Sequence, residues 1–142
     1  MTHRCCDILI IGGGPAGSTA ASLLVQQGWH VVLIEKAQHP RFHIGESLLP
    51  CTLPLLDKLG IHDAIKKIAL IKNAATFFSP DHAHSISYRF SNALQVNYPH
   101  AYQIKRADFD HILFNKAKQH GVETYENHQA MTVEHHTSQL ST

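Results

Sequence analysis

The stretch Gly12-Gly-Gly-Pro-Ala-Gly17 constrains this chain more than any other, because of what stands on either side of it. Before it, Asp7 to Ile11 gives a β-branched apolar run, which reads as a strand buried on both faces of a parallel sheet. After it, Ala16, Ala20, Leu23 and Leu24 recur at helical spacing, with Pro15 in the first turn and Gly28 where the helix stops. Val31 to Glu35 is a second apolar run, so the three segments form a β-α-β unit with a right-handed crossover.

In that context the glycines have separate tasks. Gly12 permits the tight turn leaving the strand, Gly14 lets the backbone approach a pyrophosphate, and Gly17 lets the helix lie close on the sheet. The free amides at the helix N-terminus face the phosphates. Glu35 ends the second strand, 23 residues after Gly12, where a carboxylate accepts hydrogen bonds from ribose hydroxyls. Gly13, Pro15 and Ala16 complete the turn, Lys36 follows the acid, and all four join the candidate cofactor contacts. An acid at position 35 disfavours a 2′-phosphate, since two negative groups would meet. The fingerprint alone leaves FAD and NAD open.

The rest of the chain reads as a continuation of one domain. At 142 residues and 44% hydrophobic content it is long and apolar enough for a packed core. Leu48 to Leu59 is expected to be helical despite Pro50 and Pro54, with a short helix near Asp63 to Ile68. Ala74 to Phe78 and Ile86 to Phe90 are expected as strands about a turn at Pro80-Asp81, within an accessory β region spanning about 70–104. Ala107 to His120 is an amphipathic helix stopped by Gly121, and Val122 to Tyr125 is the third core strand. The fold class is thus α/β, a partial Rossmann-like unit from about 5–36 and 107–126 plus a small accessory β element. Met131 to His136 is expected to begin one more strand. A complete doubly wound sheet needs more than three strands, so the chain is expected to be a fragment.

Composition restricts the partners. Twelve basic against 11 acidic residues give a net charge of +1, so no bulk field draws nucleic acid or anionic membrane. No stretch approaches the roughly 20 apolar residues of a membrane span, and no long apolar run precedes the first strand. Three cysteines form neither a disulfide framework nor a CxxC pair, which makes a reducing cytoplasm the simplest compartment. Cys51 is expected as a packed thiol. The thirteen histidines, including His82, His84, His135 and His136, lack companion ligands at metal-binding intervals, so no metal is expected.

Three further segments carry a family resemblance. Pro40-Arg-Phe-His-Ile-Gly-Glu-Ser-Leu-Leu-Pro50 resembles the GES(L/T)xP segment of flavin-dependent halogenases and their geranylgeranyl-reductase and monooxygenase relatives. Tyr102-Gln-Ile-Lys-Arg-Ala-Asp-Phe-Asp110 is similar to that group's R-x-x-F-D segment, and Lys72-Asn-Ala-Ala-Thr-Phe77 to its K-x-G-A-x-F stretch, with Ala74 in place of the glycine. The resemblance implies FAD as cofactor, held by Gly12, Gly14, Gly17 and Glu35, with Arg41, Ser47 and Arg106 near the flavin or its diphosphate. It implies that Lys72 is catalytic, receiving hypohalous acid generated at the flavin and presenting the halogen to a small-molecule substrate. A separate flavin reductase is implied as partner if no pyridine nucleotide binds. For Arg106 and Arg41 a structural ion pair competes with a cofactor role, with Asp108 or Asp110 the partner for Arg106.

The W-x-W-x-I-P signature of the halogenases is not in this sequence, whose one tryptophan, Trp29, stands at the expected start of the second strand. Neither is the later Gly-Asp segment that closes over the flavin. The expected function is an FAD-dependent oxidoreductase of halogenase or monooxygenase type, represented by its N-terminal FAD-binding part. A non-catalytic truncated remnant and an isoprenoid reductase stay open as alternatives.

Overall fold

The computed structural model describes residues 4–93 and 98–134. The chain forms strand β1 (Ile8–Ile11), helix α1 (Pro15–Val25) and strand β2 (Val31–Ile34), then a loop and a 3-10 turn at Pro50–Thr52. There follow α2 (Leu53–Leu59), α3 (His62–Ile68), β3 (Leu70–Lys72), β4 (Ala74–Ser79), β5 (His84–Arg89), β6 (Ala101–Gln103), α4 (Arg106–Gln119) and β7 (Glu123–Tyr125). β1 pairs in parallel with β2, Ile8 opposite Val31, and β2 pairs in parallel with β7, Val32 opposite Glu123. The sheet order is β1-β2-β7 among the described residues, the three adjacent parallel strands that the apolar runs predict.

Alternation along these strands decides which face is covered, because successive side chains point to opposite sides. Val31 and Leu33 are buried and, with Ile8 and Ile10, join Ala21 and Leu24 of α1 and Phe114 and Ala117 of α4 in one apolar cluster. Both helices therefore lie on the same face. On the opposite face Leu9 and Ile11 are 52% and 54% exposed, so the expectation of a β1 buried on both faces is corrected. An apolar run reports hydropathy and not how many layers cover it.

A second apolar cluster joins Leu53, Leu56 and Leu59 of α2 and Ile65 of α3 to Tyr102 of β6 and to Phe109 and Leu113 of α4. Helix α4 is thus a shared wall, with Phe109 and Leu113 facing one cluster and Phe114 and Ala117 the other. Residues about four apart along α4 fall on neighbouring turns of each face, which lets one helix serve two cores.

Some local expectations change. The helix expected from Leu48 begins only at the 3-10 turn from Pro50, and Leu49 is extended at φ −97° and ψ 156°. A proline disfavours the helical region for the residue before it. Trp29 precedes β2 and does not begin it. β4 and β5 form the expected antiparallel hairpin, with Phe77 opposite Ile86. A further antiparallel pair, β3 with β6, has Lys72 opposite Ala101. Residues 131–134 form no strand, and His135 and His136 lie outside the described residues. Cys51 is exposed, not packed.

The contact that fixes α1 against the sheet is backbone on backbone. A Cβ built at Gly17 would lie 1.9 Å from the carbonyl oxygen of Gly12, which itself has φ +106°. Gly17→Ala is expected to destabilise the chain by more than about 2 kcal/mol, because no flexible side chain can yield there. Urea unfolding at neutral pH measures this, and an unchanged midpoint would remove the close approach as a constraint.

Candidate functional site

The turn between β1 and α1 is held from below by two side chains remote in sequence. A Cβ at Gly13 would meet the Phe114 ring at 2.8 Å and the Cβ of Glu35 at 3.0 Å, so this position is closed by packing. Gly14 differs. Its φ of −75° suits any residue, and a Cβ there would meet nothing nearer than Nη2 of Arg41 at 3.7 Å. Neither backbone conformation nor protein packing asks for glycine at position 14, and the space beside it is open to a ligand. No side chain caps the helix, so its first amides are left for another acceptor.

Glu35 is 4% exposed at the end of β2. Its Oε2 accepts the Gly13 amide at 2.7 Å and its Oε1 accepts the Ala37 amide at 3.0 Å. Arg41 Nη2 lies 3.4 Å from Oε2. Burial pushes this carboxyl up, but the amides of Ala37 and Gly13 and the charges of Arg41 and His39 outweigh burial and hold it below its ordinary value. Glu35 lines a cleft of about 440 Å³ together with Gly12, Lys36, Ala37, Arg41 and His128. A carboxylate offers about four acceptor positions, so two amides do not exhaust it.

Arg41 joins two acids. Besides Glu35, its Nη1 lies 3.7 Å from Oδ2 of Asp110, which is fully buried on α4. Its Nε is buried without a hydrogen-bond partner. A guanidinium with its Nη2 beside an open glycine and one donor unsatisfied, together with a free helix N-terminus, fits a phosphate-bearing group such as the diphosphate of FAD. Arg106 holds Asp110 bidentately, Nε to Oδ1 at 2.7 Å and Nη2 to Oδ2 at 3.0 Å, and gives Nη1 to the carbonyl of Ile44 at 3.1 Å. The hydrogen bonds and charge of Asp110 raise the Arg106 pKa against the opposing effect of burial. Of the two candidate partners for Arg106, Asp110 is the one that holds it; the acid is buried and the arginine half-buried.

The structure also draws the lysine segment to the loop that follows β2. Lys72 is half-buried and donates Nζ to Ser47 Oγ at 2.8 Å across 25 residues of sequence. Ser47 stands opposite Gln103 of β6 in an isolated antiparallel bridge. Two sets therefore emerge: the turn, Glu35, Lys36 and Arg41 around the cleft, and Ser47 with Lys72 beside β6. Arg106 anchors the loop at Ile44 between them. Sequence reasoning missed Phe114, Gln103 and the burial of Asp110; the R-x-x-F-D spacing was the one available signal for the last. Among the described residues no group of three or more His, Cys, Asp or Glu side chains could hold a metal. No helix there is long and apolar enough to cross a membrane.

Comparison with known proteins agrees with this geometry. A family model described as FAD binding domain matches residues 5–142. The chain is 38% identical over 119 residues to a tryptophan 2-halogenase of Chondromyces crocatus, covering 84% of this chain and 22% of that protein. It is 37% identical over 124 residues to the flavin-dependent halogenase gsfI of Penicillium aethiopicum, covering 86% and 23%. Among solved structures, the myxobacterial chondrochloren halogenase CndH superposes with a TM-score of 0.79 at 37% identity, over 86% of this chain and 28% of that one. The flavin-dependent brominase Bmp2 superposes at 0.75 and 32% identity, over 84% and 29%. The chain thus spans between 22% and 25% of the length of the curated relatives it matches.

Because the Glu35 carboxyl is depressed in the fold, its contribution to stability is fully present above the unfolded value of about 4.3 and is lost as pH falls through the native value. Glu35→Gln is therefore expected to lower stability at pH 7 and to flatten the acid side of the stability curve below about pH 4.5. Urea melts between pH 3 and 7 test this; parallel curves for the two proteins would count against it.

Proposed function

We propose, from the premise that this chain belongs to the FAD binding domain family, that it is the FAD-holding N-terminal part of a flavin-dependent halogenase. Gly12, Gly14, Gly17 and the free amides of α1 hold the diphosphate, and Glu35 accepts a ribose hydroxyl. Lys36 lines the cleft beside Glu35, and Gly13, Pro15 and Ala16 complete the turn that carries the amides. Arg41, with its Nη2 beside Gly14, brings positive charge to the anion, and the loop from Arg41 to Ser47, tied down by Arg106, lies along the flavin. FAD, when bound, supplies two-electron redox chemistry with oxygen. Lys72 is the amine that meets hypohalous acid and directs the halogen to a small-molecule substrate.

The observation that carries the halogenase reading is the 2.8 Å hydrogen bond from Lys72 to Ser47. It brings the one lysine of the K-x-x-A-x-F segment to the loop assigned to the flavin. Similarity to halogenases across 84–86% of the chain supports it further. A separate flavin reductase supplies reduced flavin in this scheme.

Two substitutions separate cofactor binding from halogen transfer. Gly14→Ala is expected to change stability by no more than about 1 kcal/mol, the scale of a Gly-to-Ala change at a helix cap. It should weaken FAD binding at least about tenfold by filling the space for the diphosphate. Titration followed by flavin fluorescence decides, and undiminished affinity would place the cofactor elsewhere. In the protein that carries this chain, Lys72→Ala is expected to abolish halogenated product while FAD binding and flavin reoxidation persist. Product formation surviving that change would make the lysine structural and favour a monooxygenase or an isoprenoid reductase. No FAD binding by the unaltered protein would favour a non-catalytic remnant.

A further inference from the structure

The hydrogen bond on Lys72 is one link in a longer chain of polar groups. Ser47 Oγ, which accepts from Lys72, donates to Gln103 Oε1 at 2.9 Å, and Gln103 Nε2 donates to Glu46 Oε2 at 3.2 Å. The backbone holds these residues in place. β6 lies between β3 and the loop, with the Leu48 amide on the Tyr102 carbonyl at 2.8 Å and the Ile104 amide on the Glu46 carbonyl at 2.9 Å. Residues opposite one another in a sheet share a face, so Ser47 and Gln103 stand on one side. Lys72 stands on that side too, because it opposes Ala101, two residues before Gln103 on β6. Ala101 presents only a methyl on that face, which leaves the long lysine stem room to reach across β6 to Ser47.

The chemistry of the groups gives this chain a single direction. A carboxylate only accepts, so Glu46 turns the amide nitrogen of Gln103 toward itself. The Gln103 oxygen is then left facing Ser47, whose one proton must be given to it. Ser47 consequently shows Lys72 a lone pair and never a proton. From this we propose that Gln103 is a positioning residue for Lys72 and that Glu46 fixes its polarity, so that Ser47 can hold the amine only as an acceptor. The proposal rests on the reading of Lys72 as the halogen-directing amine and specifies how that amine is aimed. A serine free to rotate would offer its proton to the amine nitrogen part of the time, competing with the electrophile for the same lone pair.

The direction can be broken and restored without changing side-chain size. In Glu46→Gln the Gln103 amide is free to flip and turn its nitrogen to Ser47, whereas in Gln103→Glu position 103 can still only accept from Ser47. In the double variant Glu46→Gln/Gln103→Glu the carboxylate and the amide exchange places, and the chain again ends in an acceptor facing Ser47. The measurement is limited acylation of lysines by an amine-reactive ester in the intact protein, with Lys72 modification scored by peptide mass spectrometry against exposed Lys67. Glu46→Gln is expected to raise the Lys72-to-Lys67 ratio about threefold or more, the factor that loss of one hydrogen bond brings, and Gln103→Glu alone is expected to leave it where it stands in the unaltered protein. The double variant should return to the ratio of the unaltered protein, and halogenation rates should fall in Glu46→Gln and recover in the double variant. An unchanged ratio in Glu46→Gln overturns the relay, and so does a double variant that stays as reactive as Glu46→Gln. The acylation readout requires no halogenating activity, so survival of product in Lys72→Ala overturns the functional reading separately.

Discussion

A carboxylate almost wholly removed from water has to find its partners nearby, and Glu35 finds them in the two stretches of backbone that bracket the β-α-β unit. The Gly13 amide comes from the turn after β1, and the Ala37 amide from the turn after β2. The ends of two parallel strands are thereby locked at one height. The Glu35 backbone continues the tie, its amide on the Tyr125 carbonyl of β7 and its carbonyl receiving the His128 amide. Charge-assisted bonds of this kind are about twice as strong as neutral ones. The acid often described by what it does for a ribose is here first a structural clamp, and whatever it offers a ligand comes from its remaining lone pairs.

Helix α4 extends this clamp to the rest of the molecule. Phe114 lies directly beneath Gly13, and His39, which follows the Glu35 strand, stacks on the same ring at 4.6 Å between centroids. One turn earlier on the helix, buried Asp110 holds Arg106 and reaches Arg41. An uncompensated carboxylate at that depth would be costly, and two guanidinium groups converge on it. The loop that carries Arg41 is therefore bound at both ends to the helix that supports the glycine turn. Two apolar clusters share this single wall.

The sequence made the parallel sheet legible because β1 and β2 are apolar runs bounded by Gly or a charge and β7 follows the helix stop at Gly121, and the Ala107–His120 periodicity made α4 legible in the same way. The three-residue strands β3 and β6 carry no such period. They exist because residues 70–72 and 101–103 meet, and pairing over that separation leaves no local trace. Asp110 was hidden for another reason. An acid near an arginine in a helix reads as a solvated pair, and only the approach of Arg41 from a distant loop makes the position buried. For the candidate site, the glycine roles and Glu35 were readable from motif spacing, whereas Gln103 was not, since its importance comes from a bridge to Ser47 that no spacing rule describes.

The contact of Gly13 with Phe114 and Glu35 bears on how tightly a ligand can be held. A phosphate-binding turn that is loose before binding loses backbone freedom when it closes, at roughly 1–2 kcal/mol for each residue ordered. Here the turn is already wedged at Gly13 between an aromatic ring and a strand end, and the Gly12 carbonyl is packed directly against Gly17 of α1. The amides stand pre-organised, so little of the attraction between anion and helix end is spent on ordering the chain. The same rigidity limits adaptation, and a ligand whose anionic group is displaced by an ångström would find no movement in the turn to meet it.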